Sequence, residues 1–244
     1  MPLKNQLKSI SCKSISRSAV NGFTANNCIQ LNPSLAYKIY TDFLFKDFNQ
    51  YIWSFLKRAF DLVVSGAALI TGFPFFALLV IITKITSGGN AFFKQERIGR
   101  HGVPFCIYKL RSMYANAENA GPQLATNNDP RITGWGKIMR KMRLDELPQF
   151  YNVFIGQMSI VGPRPERLFF IEKISEKAPE YKKLLSIRPG ITSIGQVRYG
   201  YAQNVDQMIE RMQLDLLYLD NQKLTVDIGI IIETIRVMAK CEGK

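Results

Sequence analysis

"LVVSGAALITGFPFFALLVIIT", residues 62–83, carries no charged side chain. An apolar run of about 20 residues is long enough to cross the roughly 30 Å hydrocarbon core of a bilayer as a helix, so membrane insertion decides the fold. Two arrangements fit. The length suits a single-pass helix, but the flanks are basic on both sides, with Lys38, Lys46, Lys57 and Arg58 before the run and Lys84, Lys94, Arg97 and Arg100 after it. The preference of Lys and Arg for the cytoplasm would keep both ends on one side. Pro74, with Gly72 just ahead, sits at the middle and removes a helix hydrogen bond where the chain could turn back. Each half, about 12 residues long, reaches only about 18 Å, which suits entry into one leaflet and return. Just upstream, "YIWSFLKRAFD" supplies Tyr51, Trp53 and Phe55 with Lys57 and Arg58, the composition of an interfacial anchor.

Outward from this segment the chain divides into three parts. Residues 1–50 are an N-terminal extension, rich in Ser, Asn and Lys at its start and partly mobile, with a helical approach from about residue 35. Residues 51–86 form the interfacial and membrane element. Residues 87–244 are a cytosolic domain, mainly α with a few short strands. There "AFFKQERIG" and "PFCIYKLRSM" read as two extended segments around a Gly99–Gly102 turn that leaves His101 facing solvent. Helices are expected at about 134–142, 145–155, 165–185, 205–220 and 224–240. The polar stretch "AENAGPQLATNNDPRITGWG" between them is too long for a simple connection and reads as a mobile loop near a site.

Composition narrows the chemistry. The 244 residues are 47% hydrophobic, enough for a sizeable core, and 32 Lys plus Arg against 19 Asp plus Glu give a net charge of +13. Phosphate or anionic membrane lipid is the expected partner. Cys12, Cys28, Cys106 and Cys241 are far apart and fit neither a zinc site nor a disulfide framework; with one histidine, His-based triads and di-His metal sites lose support. Neither a P-loop nor a Rossmann glycine pattern occurs.

In this basic chain "KMRLDELPQF", residues 141–150, sets Asp145 beside Glu146 just after Lys137, Arg140, Lys141 and Arg143. Two acids at a helix start are ordinarily placed to favour its dipole. Adjacent helical side chains diverge by about 100°, so these two can also address one cation from different sides, or divide roles. Carboxylate oxygens with substrate phosphates are how Mg²⁺ is usually held, and a carboxylate can attack phosphorus to give an acyl phosphate. In "IVGPRPE", Arg164 stands between Pro163 and Pro165, which restricts its backbone and suits a preset phosphate ligand; the plainer reading is a turn with Pro165 opening the next helix. "IRPGIT" suits a type II turn at Pro189–Gly190.

Taken in order, "KRAFD", the Pro74 break, "FKQERIG", "YKLRSM", "RKMRLDELPQFYNVFIGQMSIVGPRP", "RPGIT" and "LDLLYL" resemble the bacterial sugar transferase family, the monotopic phosphoglycosyl transferases, over residues 57 to about 240. The resemblance implies a re-entrant helix-break-helix, with Lys57, Arg58, Asp61 and Pro74 as its structural residues, on the cytoplasmic face of the bacterial inner membrane. It implies that Asp145 attacks the sugar-linked phosphate of a UDP-sugar, releasing UMP, and that polyprenyl phosphate, such as undecaprenyl phosphate, takes the phosphosugar from it. Glu146 would join Asp145 in holding Mg²⁺, and Arg140, Arg164 and Lys109 would bind substrate. The product would start exopolysaccharide, capsule, O-antigen or glycoprotein glycan assembly, in contact with anionic lipids, a second copy or other glycan-assembly enzymes. The sequence departs from the family pattern at Phe73, where a Ser often precedes the break proline and Thr71 could supply the hydroxyl, and at Ser193–Ile194, where a Gly-Trp is usual. A noncatalytic scaffold of a glycan pathway would be expected to have lost an acid or an Arg of this set. A membrane-tethered nucleic-acid-binding protein would need a binding motif, and no nucleic-acid partner is expected.

Overall fold

The computed structural model describes residues 33–87, 89–117, 121–126 and 129–240, with side chains from Ile52 onward. Of the expected N-terminal extension, residues 1–32 lie outside the described residues. Contacts divide the chain into Met1–Asn49 and Gln50–Lys244, and the second unit contains the apolar run together with residues 87–244.

Helix α1 (Pro33–Ser87) contains the apolar run. Its stretch Ile52–Ser87 is long and apolar enough to cross a membrane by length and composition. The helix is continuous through Pro74, so the expected break is not an interruption of helical structure. A proline inside a helix removes one amide donor and is accommodated by bending or by a substitute partner. Thr71 is not that substitute, because its hydroxyl donates to the Ala67 carbonyl at 2.8 Å, whereas the carbonyl that Pro74 leaves without a donor is that of Ile70.

Both ends of the apolar run are fastened to the same unit. At the start, buried Asp61 accepts from the Ile160 amide at 3.0 Å and from Ser159 Oγ at 3.1 Å. Lys57 pairs with buried Asp227, and the Arg58 guanidinium donates to the Val153 and Phe154 carbonyls at 2.7 and 2.8 Å. Those carbonyls belong to the last turn of α3 (Gln149–Phe154), where helix acceptors have no intrahelical partner. At the far end Trp135 Nε1 donates to Thr83 Oγ1 at 3.1 Å, and Leu79 packs with Leu110, Met139 and Leu144. The opposite side of the run stays bare, with Val63, Ile70, Phe73, Ile81 and Ile85 all more than half exposed.

Strands β1 (Phe92–Ile98) and β2 (Pro104–Leu110) form the expected antiparallel hairpin, turned at exposed His101 in left-handed conformation. After it come α2 (Gly134–Lys141), a short 3₁₀ turn (Leu144–Glu146) and α3, which divide the helix expected over 145–155. The helix expected over 165–185 is likewise two pieces, α4 (Leu168–Lys177) and a 3₁₀ helix (Pro179–Ser186), since Pro179 has no amide to donate. Pro165 therefore does not open a helix; Arg164 lies in the segment between β3 (Ser159–Val161) and α4. Helices α5 (Ile194–Arg198), α6 (Val205–Asp220) and α7 (Leu224–Ala239) complete the unit.

The type II turn expected at Pro189–Gly190 is replaced by β4 (Gly190–Thr192), which pairs in parallel with β3, Ser159 opposite Gly190. Gly190 does not adopt positive φ. It is required for closeness instead: a Cβ there would stand 2.2 Å from the Gly162 amide nitrogen. This tight ladder fixes where the chain leaves β3 toward Arg164.

Candidate active site

The two acids sit on the 3₁₀ turn, which packs through Leu144 and Leu147 against the Leu79 side of α1. Its first flanking residue, Arg143, takes the left-handed conformation (φ 53°), uncommon for a side chain larger than Asn, and its carbonyl accepts the Glu146 amide. The abrupt change of direction buries both carboxylates, Asp145 to 8% and Glu146 to 4% exposure.

Glu146 Oε1 receives Lys109 Nζ at 3.0 Å and Arg164 Nη1 at 3.2 Å. Lys109 arrives from β2 on the face opposite Tyr108, and Arg164 from the segment after β3. Although burial opposes it, the two cations hold Glu146 well below the usual carboxylate range. Asp145 moves the other way: burial and the neighbouring Glu146 push it up, against the pull of Lys109, Arg140 and Arg164. Among the described residues no cation pairs directly with Asp145. Glu146 is thus a fixed anion, and Asp145 has its oxygens available.

Asp145, Arg140, Arg164 and Lys109 line one pocket of about 260 Å³, so four of the expected site residues come together. Glu146 stands behind the Lys109 and Arg164 contacts. The loop expected near a site contributes Ala117, Gln123, Leu124 and Ala125, held by Arg131 through Gln123 and Asp129; the Arg131 hydrogen bonds lower the Asp129 carboxyl to about 2. Among the described residues, eight Lys and Arg line the pocket against two acids, Asp145 and Glu166, a balance suited to a polyanion with more than one phosphate. Lys57, Arg58 and Asp61 lie at the anchor of α1 instead, and Pro74 is exposed on it.

Several residues of the site did not stand out in the sequence. Glu166 is clasped by Arg97 Nη1 at 3.2 Å and Arg211 Nη2 at 2.6 Å, and Arg97 also donates to the Pro165 carbonyl, which holds the Arg164 segment against the end of β1. Tyr201 is flanked by the guanidiniums of Arg143 and Arg164, each 5.6 Å from its ring centre, in cation–π contact. Arg97 belongs to "FKQERIG", and Tyr201 follows "GITSIGQVRYG"; their pairing across the fold is not a local signal. Ser193, one of the departures, caps α5 by accepting from the Gln196 amide, so it has a structural task.

Among the described residues no three His, Cys, Asp or Glu side chains cluster to hold a metal. Two neighbouring carboxylates are nonetheless enough for Mg²⁺, which usually takes one or two from protein and the rest from phosphates and water. Asp145 offers both oxygens and Glu146 its Oε2, which carries no hydrogen bond among the described residues.

Residues 52–241 match the model of the family described as bacterial sugar transferase. The chain is 38% identical over 187 residues to the UDP-N-acetylgalactosamine-undecaprenyl-phosphate N-acetylgalactosaminephosphotransferase of Aeromonas hydrophila, covering 77% of this chain and 44% of that protein. It is 37% identical over 181 residues to the UDP-glucose:undecaprenyl-phosphate glucose-1-phosphate transferase of Klebsiella pneumoniae, covering 73% and 39%. It is also 37% identical over 186 residues to the exopolysaccharide production protein PSS of Rhizobium leguminosarum bv. phaseoli, covering 74% and 93%. The chain thus spans less than half the length of the first two relatives and most of the third. With the match extending from the membrane helix through the Asp145–Glu146 turn to the last helix, the chain belongs to the bacterial sugar transferase family.

Proposed function

We propose that this protein transfers a sugar 1-phosphate from a UDP-sugar to polyprenyl phosphate in two displacements at Asp145. The observation that carries the reading is the division within one buried turn between Glu146, fixed as an anion by Lys109 and Arg164, and Asp145, which has no direct ion-pair partner among the described residues and faces a pocket rich in cations.

In the first displacement an Asp145 oxygen forms a bond to the sugar-bearing phosphorus while the bond from that phosphorus to the bridging oxygen breaks. The electron pair leaves on UMP, and an aspartyl phosphosugar remains. In the second, a phosphate oxygen of the lipid bonds to the same phosphorus and the Asp145 carboxylate departs. Arg140, Arg164 and Lys109 bind the phosphates and offset the repulsion between two anions. Asp145 and Glu146 would hold Mg²⁺, which when bound supplies Lewis-acid neutralisation of the diphosphate.

The fastening of both ends of the apolar run to one unit supports a monotopic placement, because a domain on one side of a bilayer cannot hold both ends of a spanning helix; a re-entrant path would bend at Pro74, where one helix hydrogen bond is missing. Basic residues on both flanks favour the cytoplasmic face of the inner membrane. The test is UMP release from a panel of UDP-sugars by the purified protein with Mg²⁺ and undecaprenyl phosphate. Release from at least one sugar, abolished in Asp145→Asn, is expected; no release from any sugar, or full activity of that variant, would refute the reading.

A further inference from the structure

A ridge of α1, Ala68, Gly72, Phe76, Val80 and Lys84 at i, i+4 spacing, changes character along its length. Its first three residues line an apolar groove of about 480 Å³, closed on the other side by Leu144, Leu147, Pro148 and Tyr151. The groove is open beside Gly72, where a Cβ would meet nothing within 4 Å, so only a side chain longer than Ala would obstruct it. Its last two residues line a second hollow of about 660 Å³, whose other walls include Lys94 and Arg111. Among the described residues, none that lines this hollow is acidic, and Lys84, Lys94 and Arg111 are in no ion pair.

The two spaces are joined to each other and to the reaction pocket. Phe92, whose ring centre is 6.0 Å from that of Phe76, lines both groove and hollow. Phe93 and Arg111 line both hollow and reaction pocket. Leu144 and Leu147 in the groove bracket the turn that carries Asp145. The ridge runs for about 24 Å from Ala68 to Lys84, apolar at one end and cationic at the other, on a membrane-inserted helix. Its complement is an amphiphile with a long apolar chain and an anionic phosphate head.

We propose that this ridge is the docking site of the lipid acceptor, with the isoprenoid chain along Ala68, Gly72 and Phe76 and the phosphate held by Lys84, Lys94 and Arg111 before it passes Phe93 to the phosphorus on Asp145. The inference rests on the two-displacement reading of Asp145. It adds a waiting position, distinct from the position of attack, that the nucleotide sugar never occupies.

The full chain in lipid nanodiscs separates the two half-reactions. Exchange of labelled UMP into UDP-sugar requires only the first, whereas product formation requires the lipid. In Lys84→Gln/Lys94→Gln and in Gly72→Leu, exchange stays within about twofold of wild type and the KM for undecaprenyl phosphate rises about tenfold, the scale of losing a charge-assisted contact. A photoreactive prenyl phosphate labels the wild type and labels Gly72→Leu far less, a readout that needs no turnover. An unchanged KM with unchanged labelling in both variants would overturn the proposal, as would equal displacement of the photolabel by phosphatidylglycerol, which marks a general anionic-lipid site. Absence of UMP exchange in the wild type would sink the role of Asp145 instead, leaving the photolabel to decide the docking site.

Discussion

Lys109 Nζ and Arg164 Nη1 converge on a single oxygen, Oε1 of Glu146, from a strand and a loop that meet only through the fold. The convergence fixes the turn on which Asp145 sits, so removing either cation leaves a buried carboxylate with half its compensation. Lys109→Met and Arg164→Met should each lower kcat/KM by about 100-fold or more. Because the two share an acceptor, the double variant should be less harmful than the product of the singles, with a coupling of about 1 kcal/mol or more in a double-mutant cycle.

The raised Asp145 carboxyl sets a direction in pH. A nucleophile must be ionised, so the first half-reaction should increase with pH as Asp145 loses its proton; bound Mg²⁺ favours the carboxylate, so lowering the Mg²⁺ concentration should move this acid limb to higher pH. Stability runs the opposite way with pH. A carboxyl raised in the folded state destabilises it at pH above its folded-state value, and the penalty disappears below the unfolded-state value. In magnesium-free buffer at neutral pH, Asp145→Asn should therefore have a higher Tm than wild type, the difference shrinking as pH falls through this window. UMP-exchange profiles and thermal denaturation check the two halves.

Asp61 ties the apolar helix α1 to β3. In Asp61→Ala the buried Ile160 amide loses its acceptor, the Ser159 hydroxyl keeps only the Val161 carbonyl at 2.9 Å, and Lys57 loses a neighbour at 3.7 Å. A loss of about 2–4 kcal/mol is expected, measured by denaturation in detergent. Asp61→Asn keeps one acceptor oxygen and should be milder.

The topology has its own check. With the native cysteines replaced, Phe55→Cys and Ile85→Cys flank the apolar run at exposed positions. Both should react with an impermeant thiol reagent only when it is admitted to the cytoplasmic side. Reaction from opposite sides would establish a spanning helix.

Periodicity and turn chemistry made the hairpin, α2, α6 and α7 legible in the sequence, because each is local. The β3–β4 ladder was not, since three-residue strands carry no alternation to read and their closeness depends on Gly162 and Gly190 facing each other. Pro74 suggested a break, yet one missing amide does not end a helix whose two halves are held by packing. At the site, Asp145, Glu146, Arg140, Arg164 and Lys109 emerged from charge placement and family resemblance. Arg97, Glu166, Arg211 and Tyr201 did not, because their contacts bridge distant segments and no spacing encodes them.

The covalent role of Asp145 is open to direct detection by mass spectrometry. Purified protein given Mg²⁺ and its UDP-sugar without lipid acceptor, quenched and digested, should carry a phosphosugar mass increment on the peptide containing Asp145, lost on adding undecaprenyl phosphate and absent in Asp145→Asn. UMP release with no increment on that peptide, or an increment that persists in Asp145→Asn, would contradict a covalent role for this residue.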